Sequence, residues 1–118
     1  MTLQALSFDD IERLTGVRIS QDWNITPVYR ETLAGFFITR GPEIHAWRLP
    51  EYEGRWLTRQ NIERLTKPLF HLYGHVSTSV RVENLAGHRF VQRLGFKPTG
   101  SDDRLVYYKT ESLKHARL

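Results

Sequence analysis

Residues 84–96 constrain the fold of this chain most, because both ends of one short helix are marked within them. Asn84 is a residue type that begins helices, since its side-chain oxygen accepts a hydrogen bond from a first-turn amide. Gly95 supplies the left-handed residue that ends such a helix, and Phe96 is its expected apolar partner. Apolar residues at helical intervals predict one buried face, formed by Ala86, Phe90 and Leu94 with Val91 beside them. The pattern therefore predicts a capped helix that ends at Gly95 with a positive φ.

The segments on either side of this helix are expected to be strands. Residues 69–77 are rich in apolar and aromatic side chains, which predicts a strand before the helix. Residues 97–104 are polar and predict a turn, and residues 105–108 predict a second strand after that turn. The C-terminal half is thus expected to run strand, helix and hairpin.

The N-terminal half begins with a second capped helix. Ser7 is the expected cap, the two aspartates that follow suit the positive end of the helix dipole, and Gly16 is the expected end. Residues 17–27 carry no regular pattern. Residues 28–39 are strand-like, and the pattern leaves open whether they form one bent strand or two.

A strand and a helix complete the middle of the chain. Residues 43–49 alternate as a strand does, and a helix is expected to begin near Thr58 and to close around Pro68. Strands that alternate with helices imply a mixed sheet with crossover helices, so the strands at 43–49 and 69–77 are expected to be parallel neighbours. The predicted class is α/β in the broad sense of a mixed α+β fold, with a central mixed sheet flanked by helices.

Composition narrows the classes of protein further. The length of 118 residues predicts a single domain over 1–118, and the absence of cysteine excludes disulfides, thiolate zinc sites and a cysteine nucleophile. No long apolar run and no signal-peptide pattern are present, so neither membrane insertion nor secretion is indicated and a cytoplasmic location is expected. The net charge of +4 favours an anionic partner, but the basic residues are scattered. A small nucleic-acid-binding module is therefore supported by charge alone.

The positions of four residues resemble a motif of the GNAT superfamily of acyl-CoA-dependent N-acyltransferases. That family has an Asn, a small residue three positions on, a Tyr four further and then Gly-Phe. Here Asn84, Gly87, Gly95 and Phe96 stand at those spacings, and Val91 stands where the Tyr would be. An ordinary capped helix docked on a sheet is the alternative interpretation of the same spacing.

The resemblance is best over residues 43–108 and implies a GNAT fold with a shortened N-terminal half. It implies acetyl-CoA as the cofactor and an amine as the acceptor, with no metal. His71 and His75 share a face of the predicted strand with Tyr73, but two histidines are too few ligands for a metal site.

GNAT proteins bind the cofactor pyrophosphate at the start of the helix after the central strand, where backbone amides and glycines approach it. The corresponding residues 52–58 are poor in glycine, and Trp56 stands at a position that is small in the family. The resemblance implies cofactor contacts from Trp47, Leu49, Gly54, Arg55, Thr58, Arg59 and Asn84. We expect acetyl-CoA to bind weakly or not at all, with any affinity dependent on Arg55 and Arg59 as guanidinium contacts to phosphate.

Acyl transfer to an amine needs a base for the amine, a donor for the oxyanion and an acid for the departing thiolate. The candidates for the base are Glu43 and His45 on one predicted strand and His75 on the next. In many GNAT enzymes the acid is the helix Tyr. Because Val91 cannot donate a proton, the acid here would be Tyr107 or Tyr108.

A second hypothesis is a GNAT-fold protein without catalysis that binds another protein. The missing Tyr and the glycine-poor phosphate loop favour it. Short proteins of tailed phages that are related to GNAT, including an internal virion protein of podophages, also resemble two segments of this chain, around Trp47 and over residues 84–90. That resemblance implies a virion-associated protein, located in the host cytoplasm or in the virion.

Overall fold

The computed structural model describes residues 6–52 and 55–114, which form three helices and six strands. In chain order these are α1 (Phe8–Thr15), β1 (Asn24–Tyr29), β2 (Leu33–Arg40), β3 (Glu43–Arg48), α2 (Arg59–Tyr73), β4 (Val76–Arg81), α3 (Leu85–Arg93), β5 (Lys97–Ser101) and β6 (Leu105–Thr110). The strands hydrogen-bond in the order β1-β2-β3-β4-β6-β5, with both parallel and antiparallel neighbours. The predicted mixed α+β class is therefore confirmed.

The chain divides into two compact units. The first comprises Met1–Arg40 and Ile44–Trp56, and the second comprises Gly41–Glu43 and Leu57–Leu118. Within the described part of both units, no helix is long and apolar enough to cross a membrane.

In the first unit, α1 is fixed at both ends as the sequence predicts. The Ser7 hydroxyl accepts a hydrogen bond from the Asp10 amide at 3.1 Å, and the Asp10 carboxylate accepts one from the Ser7 amide at 3.0 Å. This reciprocal capping box satisfies two amides that the helix itself leaves unpaired. Gly16 ends the helix in the left-handed conformation with φ 74°.

Strands β1 and β2 form an antiparallel hairpin, which settles the question that the sequence left open in favour of two strands. The chain turns between Tyr29 and Leu33, which pair directly. The expectation of an irregular segment over 17–27 is wrong at its end, because β1 begins at Asn24. Pro27 lies within β1, which is the edge strand of the sheet order. An edge strand tolerates proline because one side of its backbone needs no partner.

Strand β2 is buried on both faces. Phe36 and Ile38 point to a core shared with Ile11 of α1, and this cluster also contains Ile19 and Leu49. Residues of the opposite face of β2 contact the ring of Trp56. Consecutive buried side chains are expected of a strand that is covered on both sides, so the pattern of β2 is continuous rather than alternating.

In the second unit, α2 runs further than the sequence predicts. The Thr58 hydroxyl caps it by accepting a hydrogen bond from the Asn61 amide at 3.1 Å. The predicted end at Pro68 is wrong, since the helix continues to Tyr73 and ends at Gly74 with φ 75°. Pro68 removes one backbone hydrogen bond, but it lies on the exposed side, where water can satisfy the freed carbonyl.

The predicted strand over 69–77 is consequently wrong in its first half. Residues 69–73 are the last turns of α2, and β4 begins only at Val76. His71 is therefore helical and does not share a strand face with His75, as a metal site there would have required.

The predicted parallel pairing of β3 with β4 is confirmed. Glu43 pairs with Ser77 in parallel, and the Ser77 amide donates to the Pro42 carbonyl at 2.9 Å. Strand β4 pairs antiparallel with β6, and β6 pairs antiparallel with β5. The turn predicted over 97–104 is wrong in its first part, because Lys97–Ser101 is strand β5. All five residues of β5 are exposed, so no apolar alternation marks the strand in the sequence.

Helix α3 confirms both predicted ends. The Asn84 side-chain oxygen accepts a hydrogen bond from the Gly87 amide at 3.0 Å. At the other end the Gly95 amide donates to the Gln92 carbonyl and the Phe96 amide donates to the Val91 carbonyl, both at 3.0 Å. These two bonds define a Schellman motif, with Gly95 at φ 102°.

The buried face of α3 agrees with the predicted one except at Ala86. Val91 and Leu94 are buried, Phe90 is partly buried and Ala86 is exposed. The helix is turned so that Gly87 rather than Ala86 lies against β4. A Cβ atom on Gly87 would come 2.9 Å from the Val80 Cγ1 atom.

Replacing Gly95 by Val tests the importance of this helix end. The substitution forces a β-branched residue to a φ of 102° and brings its Cβ atom to 2.9 Å from the Lys114 Cγ atom. We expect the free energy of unfolding to fall by more than about 1 kcal/mol, measured by chemical denaturation. Gly100→Val is the matched control, because a Cβ atom on Gly100 meets nothing within 4 Å. Equal losses in the two variants would contradict the role given to Gly95.

Candidate functional site

A row of paired residues crosses one face of the sheet in the second unit. Glu43 pairs with Ser77, Ser77 with Lys109, and Lys109 with Lys97. Directly paired residues carry their side chains on the same face of a sheet. All four residues are partly or fully exposed, so the row is a polar, accessible surface.

Tyr107 belongs to the same face. It pairs with Ser79, two positions along β4 from Ser77, and its side chain is 41% exposed. The hydrogen bond to Asp102 is the largest cause that raises the pKa of Tyr107, and the charge of Glu43 is the smallest of the four causes. Two of the four catalytic candidates from the sequence, Glu43 and Tyr107, are thus brought to one face of this unit.

The Tyr107 hydroxyl is engaged with a neighbouring carboxylate. It donates a hydrogen bond to Asp102 Oδ2 at 2.8 Å, and this bond is the main cause that raises the pKa of Tyr107 above its ordinary 10.0. Asp102 in turn accepts bonds from the amides of Arg104 and Leu105, each at 2.8 Å. These amides, and then the Tyr107 hydroxyl, lower the pKa of Asp102. A phenol held in this way is a weaker acid than free tyrosine.

Tyr108 points to the opposite, covered face and forms a contact that the sequence did not reveal. The His88 Nε2–H group donates to the Val82 carbonyl at 3.1 Å, and His88 Nδ1 is hydrogen-bonded to the Tyr108 hydroxyl at 2.7 Å. Tyr108 is 3% exposed. His88 follows Asn84 by four positions on α3 and precedes Val91 by three, and this spacing on one helix face is the signal that could have placed it inward.

The two remaining candidates for the base lie in different surroundings. His45 belongs to the first unit, where its ring meets the edge of Trp23 with the ring centroids 5.5 Å apart. The guanidinium of Arg40 lies 4.2 Å above the same Trp23 ring, and it also pairs with Asp22 at 2.9 Å. His75 belongs to the second unit, where its Nδ1 atom lies 3.1 Å from the Tyr73 carbonyl, just before β4.

The cofactor candidates of the second unit lie at helix N-termini. Thr58 caps α2, and Arg59 is its first residue and pairs with Glu63 at 2.8 Å. The first turn of α2 contains no acidic residue, so its positive end is not neutralised by a side chain there. The amides of Arg59 and Gln60 precede the helical ladder and suit a phosphate oxygen. Asn84 is exposed and caps α3.

The cofactor candidates of the first unit lie around β2. Leu49 is 2% exposed within the core cluster, and its amide donates to the Ala34 carbonyl at 2.9 Å. Trp47 is 37% exposed and stacks on Phe36 with the ring centroids 6.0 Å apart. Arg55 is exposed. Gly54, the remaining candidate, lies outside the described residues.

The Trp56 ring packs against β2 at Gly35, where the absence of a side chain leaves room for it. A Cβ atom on Gly35 would come 2.5 Å from the Trp56 ring and 2.3 Å from the Trp47 carbonyl oxygen. The Trp56 ring also lies 5.8 Å from Phe37 between centroids. The large residue that departs from the GNAT pattern is therefore packed within the first unit.

Metal ligands are not clustered in the part of the chain that the structure describes, since no group of three or more His, Asp or Glu residues could hold an ion there. Comparison with known protein families and with curated proteins finds no match to this chain.

Removing the Asp102 carboxylate tests the state of Tyr107. In Asp102→Asn the phenolate no longer faces a negative charge, so we expect the pKa of Tyr107 to fall toward its ordinary value of 10.0. The measurement is a tyrosine titration followed by NMR of the ring. Asp103→Asn, which makes the same charge change one residue away, is the control. A Tyr107 titration that moves equally in both variants would show that general charge, rather than the hydrogen bond, sets this pKa.

Proposed function

We propose that this protein is a GNAT-type protein that binds acyl-CoA weakly and has at most slow N-acyltransferase activity. The observation that carries the proposal is the parallel pairing of β3 and β4, two strands that α2 connects. The order of the nine elements and the capped, glycine-stopped α3 agree with the resemblance in the sequence. A fold does not establish a function, so the proposal depends on the groups around these elements.

The start of α2 offers a donor set that fits a phosphate in part. Its first-turn amides, the absence of acidic residues there and the Arg59 side chain all suit an anion. The Thr58 hydroxyl is already used as the helix cap, and the Arg59 guanidinium is shared with Glu63. Affinity is therefore expected to come largely from electrostatic attraction, which is weak at an exposed site.

The base of the proposed reaction is Glu43. Its carboxylate lies on the accessible face of the second unit, where it would accept the proton that an acceptor amine loses as it attacks a thioester carbonyl. Completion of the transfer breaks the carbon–sulfur bond and leaves a thiolate that needs a proton.

The acid of the proposed reaction is not provided by a tyrosine. Val91 is buried in the position of the family's helix Tyr. The Tyr107 hydroxyl is bound to Asp102, and the Tyr108 hydroxyl is bound to His88 on the covered face. Solvent would then have to protonate the thiolate, and loss of a positioned acid typically costs about 10²-fold or more in rate.

A second candidate function is binding to another protein without catalysis. Val82 and Leu85, which flank the Asn84 cap, are 44% and 66% exposed. Exposed apolar residues beside an exposed helix start suit a protein partner better than a phosphate. This function becomes the better proposal if acetyl-CoA does not bind.

Titration with acetyl-CoA tests the proposal. Ligand that binds the folded state raises the melting temperature by mass action, so we expect a small rise at high acetyl-CoA concentration. Arg59→Ala and Arg55→Ala should each reduce the rise, whereas Arg64→Ala, on the same helix as Arg59, should not. Added salt should remove most of the rise, since exposed charges are screened over about 8 Å at physiological ionic strength.

Two outcomes would contradict this proposal. A tight, salt-insensitive complex that survives both arginine substitutions would mean that backbone amides hold the phosphates, and an efficient enzyme would then be expected. No rise at any concentration would exclude acyl-CoA binding and favour the protein-binding function.

A further inference from the structure

The second unit contains an open cleft at the end of the β5–β6 hairpin, and neither the proposed base nor the start of α2 lines it. Its volume is about 500 Å³. Its lining includes Lys97 from β5, Lys109 from β6 and Lys114 from the segment after β6, together with the hydroxyls of Thr99 and Ser112 and the carboxylate of Glu111. We call this set of six residues the lysine cleft.

Among the residues that the structure describes, those that line the cleft carry an excess of positive charge. Three lysines and one carboxylate, that of Glu111, are among the lining residues. Within residues 6–52 and 55–114, none of the three lysines forms an ion pair. An anion from solution would balance this charge.

The pairing register makes this charge unfavourable when no anion is bound. Lys97 pairs directly with Lys109 on adjacent antiparallel strands. Like charges that are directly opposite in a sheet destabilise it, whereas an opposite charge in either position would stabilise it. An anion bound between Lys97 and Lys109 would offset the repulsion between their charges.

The backbone that carries the third lysine is fixed. The Lys114 amide donates to the Leu94 carbonyl at 2.8 Å, at the end of α3. A Cβ atom on Gly95 would come 3.3 Å from the Lys114 nitrogen, so the close approach of this segment depends on glycine. Before it, the Thr110 hydroxyl donates to the Ser112 carbonyl at 2.6 Å and holds the turn that follows β6.

We propose that the lysine cleft binds a small anion that carries two or more phosphate groups. Its volume lies in the range of small-molecule sites, about 300–1,000 Å³. Lysine binds phosphate as a point charge with three donors, and the Ser112 hydroxyl adds a further donor, whereas the Thr99 hydroxyl donates to the Tyr107 carbonyl at 3.4 Å. Lysines on three separate segments suit an anion with more than one charged group. This proposal does not depend on acyl-CoA binding.

Inorganic pyrophosphate is the probe, and the full chain is titrated at low salt with amide NMR as the readout. We expect saturable shifts at Lys97, Lys109 and Ser112, with weaker binding of inorganic phosphate. Shifts that saturate only at the start of α2 would overturn the assignment of the site. Equal affinity for phosphate and pyrophosphate would overturn the requirement for two phosphates.

Variants with the same change in charge distinguish binding in the lysine cleft from general electrostatic attraction to the protein. Lys97→Gln and Lys109→Gln should each weaken pyrophosphate binding several-fold, whereas Lys67→Gln on α2 makes the same charge change and should not. Glu111→Gln should strengthen binding. Arg59→Ala should leave the shifts in the lysine cleft unchanged, so that failure here is distinguishable from failure of acyl-CoA binding. Equal weakening by Lys67→Gln would overturn the proposal.

The melting temperature without anion is a further readout. Because Lys97 and Lys109 repel each other, replacing either one by Gln should raise the melting temperature while it weakens binding. A loss of binding with a raised melting temperature cannot come from unfolding. A lower melting temperature in both variants would mean that the lysines stabilise the empty fold, and the proposal would be wrong.

Discussion

Helix α3 lies against β4 at position 87, which carries no side chain, and it ends at position 95, where a glycine adopts a positive φ. A Cβ atom on Gly87 would overlap the Val80 side chain at 2.9 Å. Gly95 allows the Schellman bonds and also the close approach of Lys114. Because protein interiors are closely packed, even one added carbon atom at such a position destabilises the fold. The contact of His88 with Tyr108, and one wall of the lysine cleft, follow from this placement of the helix.

Strand β6 shows how adjacent residues acquire different chemistry. Tyr107 and Tyr108 are neighbours in sequence, but successive side chains of a strand point to opposite faces. Tyr108 is buried and its hydroxyl is hydrogen-bonded to His88, whereas Tyr107 is half-exposed and donates to a carboxylate that raises its pKa. Both hydroxyls are engaged, which is the main argument against efficient acid catalysis. The same alternation places Lys109 on the face of Tyr107, in line with Glu43 and directly opposite Lys97.

The first unit shows a different use of glycine. Gly35 in the buried strand β2 leaves room for the Trp56 ring and for the Trp47 carbonyl. The sequence placed Trp56 in a loop that was expected to contact phosphate, where its large ring would occupy the space a phosphate needs. In the structure it is a packed side chain whose partner is a position without a Cβ atom. No sequence pattern links residues 35 and 56, since their contact arises only when the hairpin and the following segment fold together.

The sequence by itself determined the helix ends that depend on neighbouring residues. The Ser7 and Asn84 caps and the glycine stops at positions 16 and 95 were all predicted, because their hydrogen bonds join residues only a few positions apart. The parallel neighbours β3 and β4 were also predictable from the helix between them. Pro68 gave a wrong helix end, since it lies on the exposed side of α2 and the helix continues past it to Tyr73.

Only the tertiary structure decided which distant residues meet. Strand β5 has no apolar alternation, so its existence depends on hydrogen bonds to β6 rather than on burial of its side chains. The pairs His88–Tyr108 and Lys97–Lys109 depend on register and on helix placement, which packing of the whole unit sets. A shift of one residue in the β5–β6 register would move every side chain of that strand to the other face. Hydrogen bonds between residues close in sequence can therefore be predicted from the sequence. The surfaces on which functional groups meet depend on packing between residues that are distant in sequence.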